Sequence, residues 1–226
     1  MTVTRNMIKH PHQHHEKNGP NLRRYSTTAL FYDLLDLPWE MIYRKWRPVL
    51  VGDVRGTVLE AGVGTGRNLK YYHHDVTLTA MDLSPAMLRK AQKRARGAVC
   101  SIDFVTDDAC LMTSIPSGSY DWIISTFLCC VMPEEVQPLA LEQFGRVLKP
   151  GGRFRLLEIL YSRIPSIRKR QERFARFVEK VYGARFDRNT LQLVERTPGL
   201  QVTGTRFLKD DTYLLIEGIK PAAAME

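Results

Sequence analysis

The sequence predicts an α/β fold in which helices cover both faces of a mostly parallel sheet. Short apolar runs rich in Val, Ile and Leu alternate along the chain with longer segments of helical periodicity. A glycine-rich turn over 60–66 follows the first apolar run, and Asp82 ends the second. At 226 residues the chain suits one domain, which we place at 21–220, between a polar tail (1–20) and a short tail (221–226).

The N-terminal region divides into a tail and a helical segment. Residues 1–20 are polar and His-rich, so we expect a disordered, solvated tail rather than a metal site. Apolar and aromatic residues recur at helical spacing from Leu22 to Leu50, with a break at Pro38 and a further helix predicted over Trp39–Trp46. The N-terminus has no apolar run of the kind found in secretory signals, and the four cysteines form no disulfide framework, which favours a cytoplasmic compartment.

The core elements are predicted from apolar runs bounded by glycine, proline and polar residues. Val58 and Leu59 end the first strand, and Arg67–Tyr72 opens a helix after the glycine turn. The later elements are a strand over Val76–Met81, a helix over Pro85–Arg96, a strand over Ile102–Val105, a turn over 118–121, a strand over Trp122–Thr126, a helix over Glu134–Leu148, a turn over 149–152, a strand over Arg153–Leu160, a helix from Pro165 through Tyr182, and a hairpin of Gln201–Phe207 with Tyr213–Ile219.

The glycine turn is a predicted ligand site. Gly62, Gly64 and Gly66 occupy alternate positions, and glycine tolerates positive φ and lets a ligand approach the main chain. A tight strand-to-helix turn presents backbone N–H groups to a nucleotide or its equivalent. Asp82, about twenty residues further on, is placed to accept hydrogen bonds from two ribose hydroxyls. A tight turn without a ligand is the alternative interpretation.

Three motifs together strongly resemble those of the class I S-adenosylmethionine (SAM) dependent methyltransferases. They are E-A-G-V-G-T-G at 60–66, D-L-S at 82–84 and R-V-L-K-P-G-G at 146–152, and the resemblance covers about residues 25–220. The turn departs from the dinucleotide pattern G-x-G-x-x-G, because Gly66 follows Gly64 by two residues. The resemblance implies a Rossmann-like, seven-stranded, mostly parallel sheet with helices on both faces, a C-terminal antiparallel hairpin, and SAM as cofactor.

The resemblance also implies which residues contact SAM. The glycines approach its methionine and ribose, Glu60 organises the turn or reaches the amino group, and Asp82 holds the ribose. Asp108 matches the family position that meets the adenine amino group, although the neighbouring Asp107 leaves the register open by one residue. The predicted cofactor-binding residues are Glu60, Ala61, Gly62, Gly64, Thr65, Gly66, Asn68, Asp82, Leu83, Met87, Asp108, Ala109, Ser125 and Thr126.

Positive charge is concentrated in two segments. The formal net charge is +9, and residues 1–24 and 163–188 account for all of the excess. Such polarity indicates an anionic partner, a membrane surface or nucleic acid. Within the second segment the helix through Tyr182 places apolar residues on one face and cations elsewhere, as in a helix that lies in a membrane interface. The alternative is that its apolar face packs on the sheet and its charges are only solvated.

Within the superfamily the chain looks most like the bacterial phospholipid N-methyltransferases and the related ubiquinone/menaquinone C-methyltransferases of the type 11 group. This resemblance rests on the motifs Y-D-L-L at 32–35 and M-D-L-S-P-A-M-L-R-K-A at 81–91, together with the glycine turn. The leading hypothesis is methyl transfer to the amine of phosphatidylethanolamine by a protein peripheral at the inner face of the membrane. Residues 21–50 would cover the SAM pocket and 161–190 would roof the substrate site. The predicted substrate residues are Tyr25, Tyr32, Tyr161, Tyr182, Arg185 and Arg188, the first two being also the catalytic candidates.

Other functions stay open on the sequence. A quinone C-methyltransferase or a small-molecule thiol or arsenite methyltransferase is the alternative enzyme, although arsenite chemistry needs converging thiolates and Cys100 and Cys110 do not obviously converge on Cys129 and Cys130. Nucleic-acid methylation is disfavoured because no Asn-Pro-Pro-Tyr-type motif follows the fourth strand. A non-catalytic adaptor that binds a membrane or RNA is the reading from a different class. No histidine follows His74, so the C-terminal half offers no histidine base.

Overall fold

The computed structural model describes residues 37–222 of the chain. Its strands are β1 (Gly56–Ala61), β2 (Val76–Asp82), β3 (Ser101–Thr106), β4 (Tyr120–Thr126), β5 (Leu148–Ile159), β6 (Gln201–Lys209) and β7 (Tyr213–Ile219). Its helices are α1 (Leu37–Tyr43), α2 (Arg47–Val51), α3 (Pro85–Arg94), α4 (Gln137–Val147), α5 (Pro165–Tyr182) and α6 (Thr190–Arg196). Short 3₁₀ turns cover Leu69–Tyr71, Ala95–Gly97, Cys129–Val131 and Glu134–Val136.

The seven strands form one sheet in the order β3-β2-β1-β4-β5-β7-β6. The five strands from β3 to β5 pair in parallel, whereas β7 pairs antiparallel with both β5 and β6. The predicted Rossmann-like fold with a C-terminal antiparallel hairpin is therefore confirmed. Its strand order reverses at β1, where open α/β sheets bind ligands beyond the carboxyl ends of the strands.

The sheet is covered on both faces, as the continuous apolar strands predict. Val58 and Leu59 of β1 are both fully buried, but they belong to separate hydrophobic clusters because successive residues of a strand point to opposite faces. The cluster with Val58 includes residues of α2 and α3, and the cluster with Leu59 includes residues of α4 and α6. Each fully buried Leu or Val contributes about 1.5–3 kcal/mol relative to an exposed one.

The helix predicted over Arg67–Tyr72 is wrong. Only residues 62–75 separate β1 from β2, and the first of these are fixed beside β2, since the backbone N–H groups of Gly62 and Val63 both donate to the Met81 carbonyl. The remaining length allows one 3₁₀ turn, which buries Leu69. The glycine turn thus leads into a 3₁₀ turn and not into the N-terminus of an α-helix.

Several predicted boundaries also shift. Glu60 and Ala61 belong to β1, and Tyr120 already belongs to β4. The turn predicted over 149–152 lies inside β5, whose pairing with β4 shifts in register between Tyr120 and Trp122. Pro38 occupies the first turn of α1, where a missing N–H costs nothing, so this helix begins two residues before the predicted Trp39. The run that Pro38 is predicted to end lies outside the described residues. The helix α6 was not predicted.

Helix α5 is attached to the sheet near its start. Gln171 is its one buried residue: its side chain accepts from the Ser162 N–H at 2.8 Å and donates to the Leu160 carbonyl at 2.9 Å. The helix ends at Gly183, which has the left-handed φ of 76° that glycine accepts. Phe174 and Phe177 are 52% and 55% exposed, so this apolar face does not pack on the sheet. None of the helices in the described part of the chain is long and apolar enough to cross a membrane.

Candidate active site

A cavity of about 700 Å³ opens at the carboxyl end of the parallel strands. Its floor is formed by the glycine turn after β1, by Asp82 at the end of β2 and by Thr126 at the end of β4. Residues of α1, of α5 and of the turn between β6 and β7 form its walls and mouth. The volume is within the range of pockets that enclose drug-sized ligands.

Asp82 faces the glycine turn. Its carboxylate accepts from the Gly64 N–H and from the Ser84 N–H, both at 2.8 Å. Burial raises the pKa of Asp82, and the two backbone hydrogen bonds oppose that rise. Gly64 has a φ of 56°, and a Cβ built there would meet no atom within 4 Å. The turn therefore presents bare main chain beside a carboxylate, which is the arrangement that a ribose-bearing ligand requires.

Glu60 is the centre of a buried polar network. Its carboxylate accepts from Asn68 Nδ2 at 2.7 Å and from the Tyr72 hydroxyl at 3.0 Å. Arg47 donates to Asn68 Oδ1 at 2.5 Å and forms a bidentate ion pair with Glu40 of α1. Burial raises the pKa of Glu60 to about 7. The network ties the helices before β1 to the glycine turn and leaves Glu60 on the cavity wall.

Asp107 and Asp108 both line the cavity, but their carboxylates have different partners. Asp107 accepts from the N–H and the hydroxyl of Ser114, which closes the loop after β3. Asp108 accepts from the Cys110 N–H at 2.9 Å and is 4% exposed. The Asp107 carboxylate is thus used within its own loop, and the contact of Asp108 with adenine stays a prediction.

The structure brings most of the predicted cofactor residues together. Those that line the cavity are Glu60, Gly62, Gly64, Thr65, Asn68, Asp82, Leu83, Met87, Asp108, Ala109 and Thr126. Ala61, Gly66 and Ser125 do not line it. Gly66 packs against the neighbouring elements instead, since a Cβ there would lie 2.7 Å from Leu69 Cδ1 and 2.9 Å from Ala91 Cα.

Of the four predicted substrate residues that fall within 37–222, only Tyr182 lines the cavity. Arg185 pairs with Asp187 at 2.6 Å, and Arg188 pairs with Glu134 at 3.1 Å. Tyr161 stacks against Phe186, with ring centroids 5.3 Å apart. These three side chains make their contacts outside the cavity: each arginine pairs with a nearby acid, and Tyr161 packs against the Phe186 ring. Tyr25 and Tyr32 lie outside the described residues.

An aromatic cluster that the sequence did not reveal forms part of the cavity wall. The rings of Tyr43, Phe127 and Tyr213 line the cavity, with centroids 5.0 Å apart for Tyr43 and Phe127 and 5.7 Å apart for Tyr43 and Tyr213. Trp46 stacks behind Tyr213 at 4.9 Å. Phe127 directly follows β4 with a φ of 58°, which is rare for a bulky residue.

The cations of the cavity fall into two groups. Arg47 and Arg67 lie beside the glycine turn and reach Glu40 at 2.5 and 3.6 Å. Arg170 of α5 and Lys209 at the end of β6 lie at the mouth. Among the residues from 37 to 222, neither Arg170 nor Lys209 has a carboxylate within ion-pair distance. The mouth thus carries two cations that form no ion pair with a described acid, although the Asp210 carboxylate also lines it.

The thiols near the cavity are not activated. Glu158 of β5 accepts from the Cys129 and Cys130 N–H groups at 2.9 and 2.8 Å, and burial raises the pKa of this acid to about 7. Burial also raises the pKa of both thiols well above the ordinary value. A protonated thiol is a poor nucleophile and a poor ligand for a soft metal. The geometry therefore gives no support to arsenite chemistry.

An exposed cluster outside the cavity has the composition of a metal site. His73, His74 and Asp75 place one ligand atom each within 4.8 Å of one another. Both imidazoles lie 3.1 Å from the Asp75 carboxylate, so these two contacts are sufficient to bring the three side chains together. The expectation that the chain holds no metal stays a prediction.

The comparisons with known proteins agree with this geometry. Residues 58–152 match a family described as a methyltransferase domain. The chain is 30% identical over 164 residues to the ubiquinone/menaquinone biosynthesis C-methyltransferase of Methylobacterium nodulans, covering 67% of the chain and 64% of that protein. It is 33% identical over 99 residues to the phosphatidylethanolamine N-methyltransferase of Cereibacter sphaeroides, covering 43% of the chain and 47% of that protein. The matches thus span less than two thirds of these relatives' own length.

Solved structures share the fold. An O-methyltransferase family protein from Burkholderia thailandensis superposes with a TM-score of 0.71 at 15% identity, covering 92% of this chain and 64% of that one. At such an identity the likeness concerns the fold alone. The part of the fold that positions the cavity, from β1 to β5, coincides with the region that matches the methyltransferase domain.

Proposed function

This chain belongs to the class I SAM-dependent methyltransferases, and we propose that it transfers a methyl group from SAM to the amine of phosphatidylethanolamine at a membrane surface. The observation that carries the proposal is a single cavity. Its floor has the glycine turn and Asp82, and its mouth is apolar, aromatic and cationic. A cofactor site and an amphiphile site therefore adjoin each other.

The residues of the floor fit SAM. The open space at Gly64 lets a ligand lie on the main chain, and the Asp82 carboxylate beside it would accept from ribose hydroxyls. Glu60, ionised, would attract the positive charge of the methionine end. When bound, SAM supplies a methyl group on a sulfonium that a nucleophile attacks in line. The chain's own contribution is to bind, orient and exclude water.

The aromatic wall suits an amine acceptor. The ammonium form has a pKa of about 10 and must lose a proton before its nitrogen attacks. A wall made of Tyr43, Phe127 and Tyr213 lowers the local polarity and so favours the neutral amine. The same rings attract the methylated cation through their faces. These three residues would act together with Tyr182, which the sequence also predicts, whereas Tyr161 packs against Phe186.

The cations at the mouth suit a lipid phosphate. Arg170 and Lys209 line the cavity and have no carboxylate partner among the described residues. A guanidinium binds phosphate with two parallel hydrogen bonds, and a lysine binds it as a point charge. Arg185 and Arg188, the phosphate ligands expected from the sequence, are paired with acids. We assign the phosphate to Arg170 and Lys209 instead.

Exposed apolar side chains around the mouth support a membrane partner. On α1, Leu37, Trp39 and Met41 are 55%, 43% and 60% exposed, and Phe174 and Phe177 of α5 are exposed to a similar degree. Trp39 and both phenylalanines also line the cavity. Residues 163–188 carry nine basic and three acidic side chains. Peripheral membrane binding is stabilised by apolar side chains that insert into the lipid interface and by cations that contact anionic headgroups.

A quinone C-methyltransferase is the second candidate. The specific observation in its favour is the match to a ubiquinone/menaquinone C-methyltransferase over 67% of the chain, a longer stretch than the phosphatidylethanolamine enzyme matches. The apolar mouth accommodates an isoprenoid chain as well as an acyl chain. The unneutralised cations at Arg170 and Lys209 favour the phospholipid, because a quinone ring carries no phosphate.

The test is methylation of a total lipid extract. The full chain is incubated with SAM labelled in its methyl group, and labelled lipids are separated and identified, with the Asp82→Ala variant as the inactive control. Label in mono-, di- or trimethylated phosphatidylethanolamine supports the proposal. Label in a quinone supports the second candidate. Unlabelled lipid, in a preparation that binds SAM, would overturn both lipid substrates.

A further inference from the structure

The turn between β6 and β7 places an uncommitted acid at the cavity mouth. Asp210 lines the cavity with an exposed side chain and has a left-handed φ of 48°. Within residues 37–222 its carboxylate has no hydrogen-bond or ion-pair partner. Lys209 precedes it in the chain, yet the two side chains do not come within the 4.0 Å of an ion pair. The carboxylate is thus available to a ligand.

Thr212, in the same turn, presents an unpartnered polar atom. The residue is 5% exposed and lines the cavity. Its Oγ1 is buried and has no hydrogen-bond partner in the described part of the chain. A buried hydroxyl without a partner costs free energy that a ligand group can recover. Thr212 thus lines the cavity two residues from Asp210 with a hydroxyl oxygen that lies just beneath the surface and has no partner among the described residues.

The turn is held in place by contacts that do not involve these two oxygens. Asp211 accepts from the Ser162 hydroxyl and from the Arg163 N–H, and the Leu160 N–H donates to the Thr212 carbonyl at 2.7 Å. These bonds join the turn to the end of β5. The neighbouring acids consequently differ in role: Asp211 fixes the turn, and Asp210 is left facing the cavity.

The surroundings of the turn suit a cation. Tyr213 follows Thr212, and its ring lies 5.7 Å from Tyr43 and 6.2 Å from Phe127. Aromatic faces attract organic cations, and a carboxylate adds a full negative charge. A neutral quinone would gain nothing from the carboxylate, and an anion would be repelled by it. The combination is complementary to an ammonium group on an organic ligand.

We propose that the β6–β7 turn is the subsite where the acceptor's ammonium group first binds, with the Asp210 carboxylate as its ion-pair partner and the Thr212 hydroxyl as a hydrogen-bond partner. The ammonium then loses its proton to water, and the neutral amine contacts the aromatic wall. This inference rests on the proposed function, since it names the part of the same cavity that selects an amine. With Arg170 and Lys209 at the phosphate, the mouth carries both signs of charge, as a zwitterionic headgroup does. Asp210 is then a specificity residue that distinguishes ethanolamine lipids from anionic lipids.

The experiment measures kinetics with phosphatidylethanolamine in mixed micelles for Asp210→Asn, Asp210→Gly and Thr212→Val. Asn and Gly both tolerate positive φ, so these variants keep the turn. We expect the KM for the lipid to rise about tenfold in both Asp210 variants, the loss of one charge-assisted contact, with the SAM dissociation constant unchanged. Thr212→Val should raise the KM for the lipid severalfold, and Thr212→Ser should leave that KM near the wild-type value. Glu195→Gln, which removes an exposed acid of α6 outside the cavity, is the matched control.

A second measurement separates this inference from the proposed function. Binding of tetramethylammonium to the SAM-loaded chain is followed by tryptophan fluorescence in wild type and Asp210→Asn. If tetramethylammonium binding depends on Asp210 but phosphatidylethanolamine is not methylated, the ammonium subsite is supported and phosphatidylethanolamine is excluded as the substrate. Lipid methylation with a KM within twofold of wild type in Asp210→Asn would overturn the subsite and keep the function. Neither binding nor methylation would overturn both.

Discussion

Glu60 is a buried acid whose charge state changes near neutral pH. Burial raises its pKa to about 7 although Asn68 and Tyr72 donate to it, so the protonated and ionised forms coexist there. A ligand with net positive charge favours the ionised form and releases a proton on binding.

We therefore expect SAM to bind severalfold more tightly at about pH 8 than at about pH 6, and the Glu60→Gln variant to lose most of that difference. Calorimetric titration checks this, with S-adenosylhomocysteine, which lacks the sulfonium charge, as the comparison ligand. The same pH dependence in wild type and Glu60→Gln would show that another group is responsible.

Two glycines of the same turn have different roles. The Cβ of an alanine at position 64 would meet no atom, so the substitution costs only the strain of positive φ, about 1 kcal/mol. The Cβ of an alanine at position 66 would also collide with Leu69 and Ala91. We expect Gly66→Ala to lower the melting temperature clearly more than Gly64→Ala does. Gly64→Ala should instead weaken SAM binding out of proportion to its small effect on stability. Thermal unfolding and SAM titration of both variants measure the two effects, and unchanged SAM affinity in Gly64→Ala would contradict the ligand-facing role.

Among the elements, α5 makes the sharpest prediction. Its half-exposed Phe174 and Phe177 would insert into a lipid surface, where each buried aromatic side chain contributes on the order of 1.5–3 kcal/mol. The double variant Phe174→Ser, Phe177→Ser should bind vesicles containing phosphatidylglycerol at least tenfold more weakly in flotation assays. Val99→Ser, at a more exposed apolar site outside the cavity, should have no effect. Equal loss in both variants would argue against α5 as the docking element.

The charges of α5 belong to the same prediction. Arg168 and Lys169 do not line the cavity, so changing both to Glu tests membrane attraction without altering the substrate site. Each cation near an anionic surface contributes about 1 kcal/mol, and salt screens that attraction. Weaker flotation at low salt, and a smaller difference at high salt, is the expected result. Flotation that neither the substitutions nor salt alter would contradict it.

Elements with a local signature were predictable from the sequence. The hairpin of β6 and β7 was predictable because a turn of polar residues separates its two apolar runs. The helix α5 was predictable because its apolar residues recur with a period near 3.6. The helix over Arg67–Tyr72 was wrong because its length is limited by where β2 begins, which periodicity does not show. Likewise, no local pattern shows that Glu134 neutralises Arg188, because the two residues are 54 positions apart in the chain.

The cavity shows the same division between local and distant information. The cofactor floor could be predicted because the glycine turn and Asp82 lie at the ends of adjacent strands and have a recognisable spacing. The aromatic wall could not, because Tyr43, Phe127 and Tyr213 are far apart in the chain and meet only through the strand order β4-β5-β7.

At the scale of the whole molecule, two buried acids should make stability depend on pH. Glu60 and Glu158 both have pKa values of about 7, above the ordinary 4.5, so the native state binds their protons more tightly than the unfolded state does. Their stabilising contribution is complete below about pH 4.5 and is lost as pH rises through 7. The free energy of unfolding should therefore fall between about pH 5 and about pH 8, by on the order of 3 kcal/mol for each acid.

The Glu158→Gln variant tests this dependence. It removes one titrating group, so the decrease in unfolding free energy with rising pH should be smaller than in wild type, even if the variant is less stable overall because an amide accepts poorly from two N–H groups. Denaturant unfolding at several pH values measures it, and Glu142→Gln, an exposed acid of α4, is the control. An identical slope in wild type and Glu158→Gln would contradict the raised pKa.

The central claim is that one cavity binds SAM between the glycine turn and Asp82. Isothermal titration of the full chain with SAM measures this in wild type and in Asp82→Ala, with Asp103→Ala, at an exposed acid of β3 outside the cavity, as the control. We expect one SAM bound per wild-type chain and an affinity at least tenfold weaker in Asp82→Ala than in wild type or Asp103→Ala. A wild-type chain that does not bind SAM, or an Asp82→Ala variant that binds it as tightly as wild type, would contradict it.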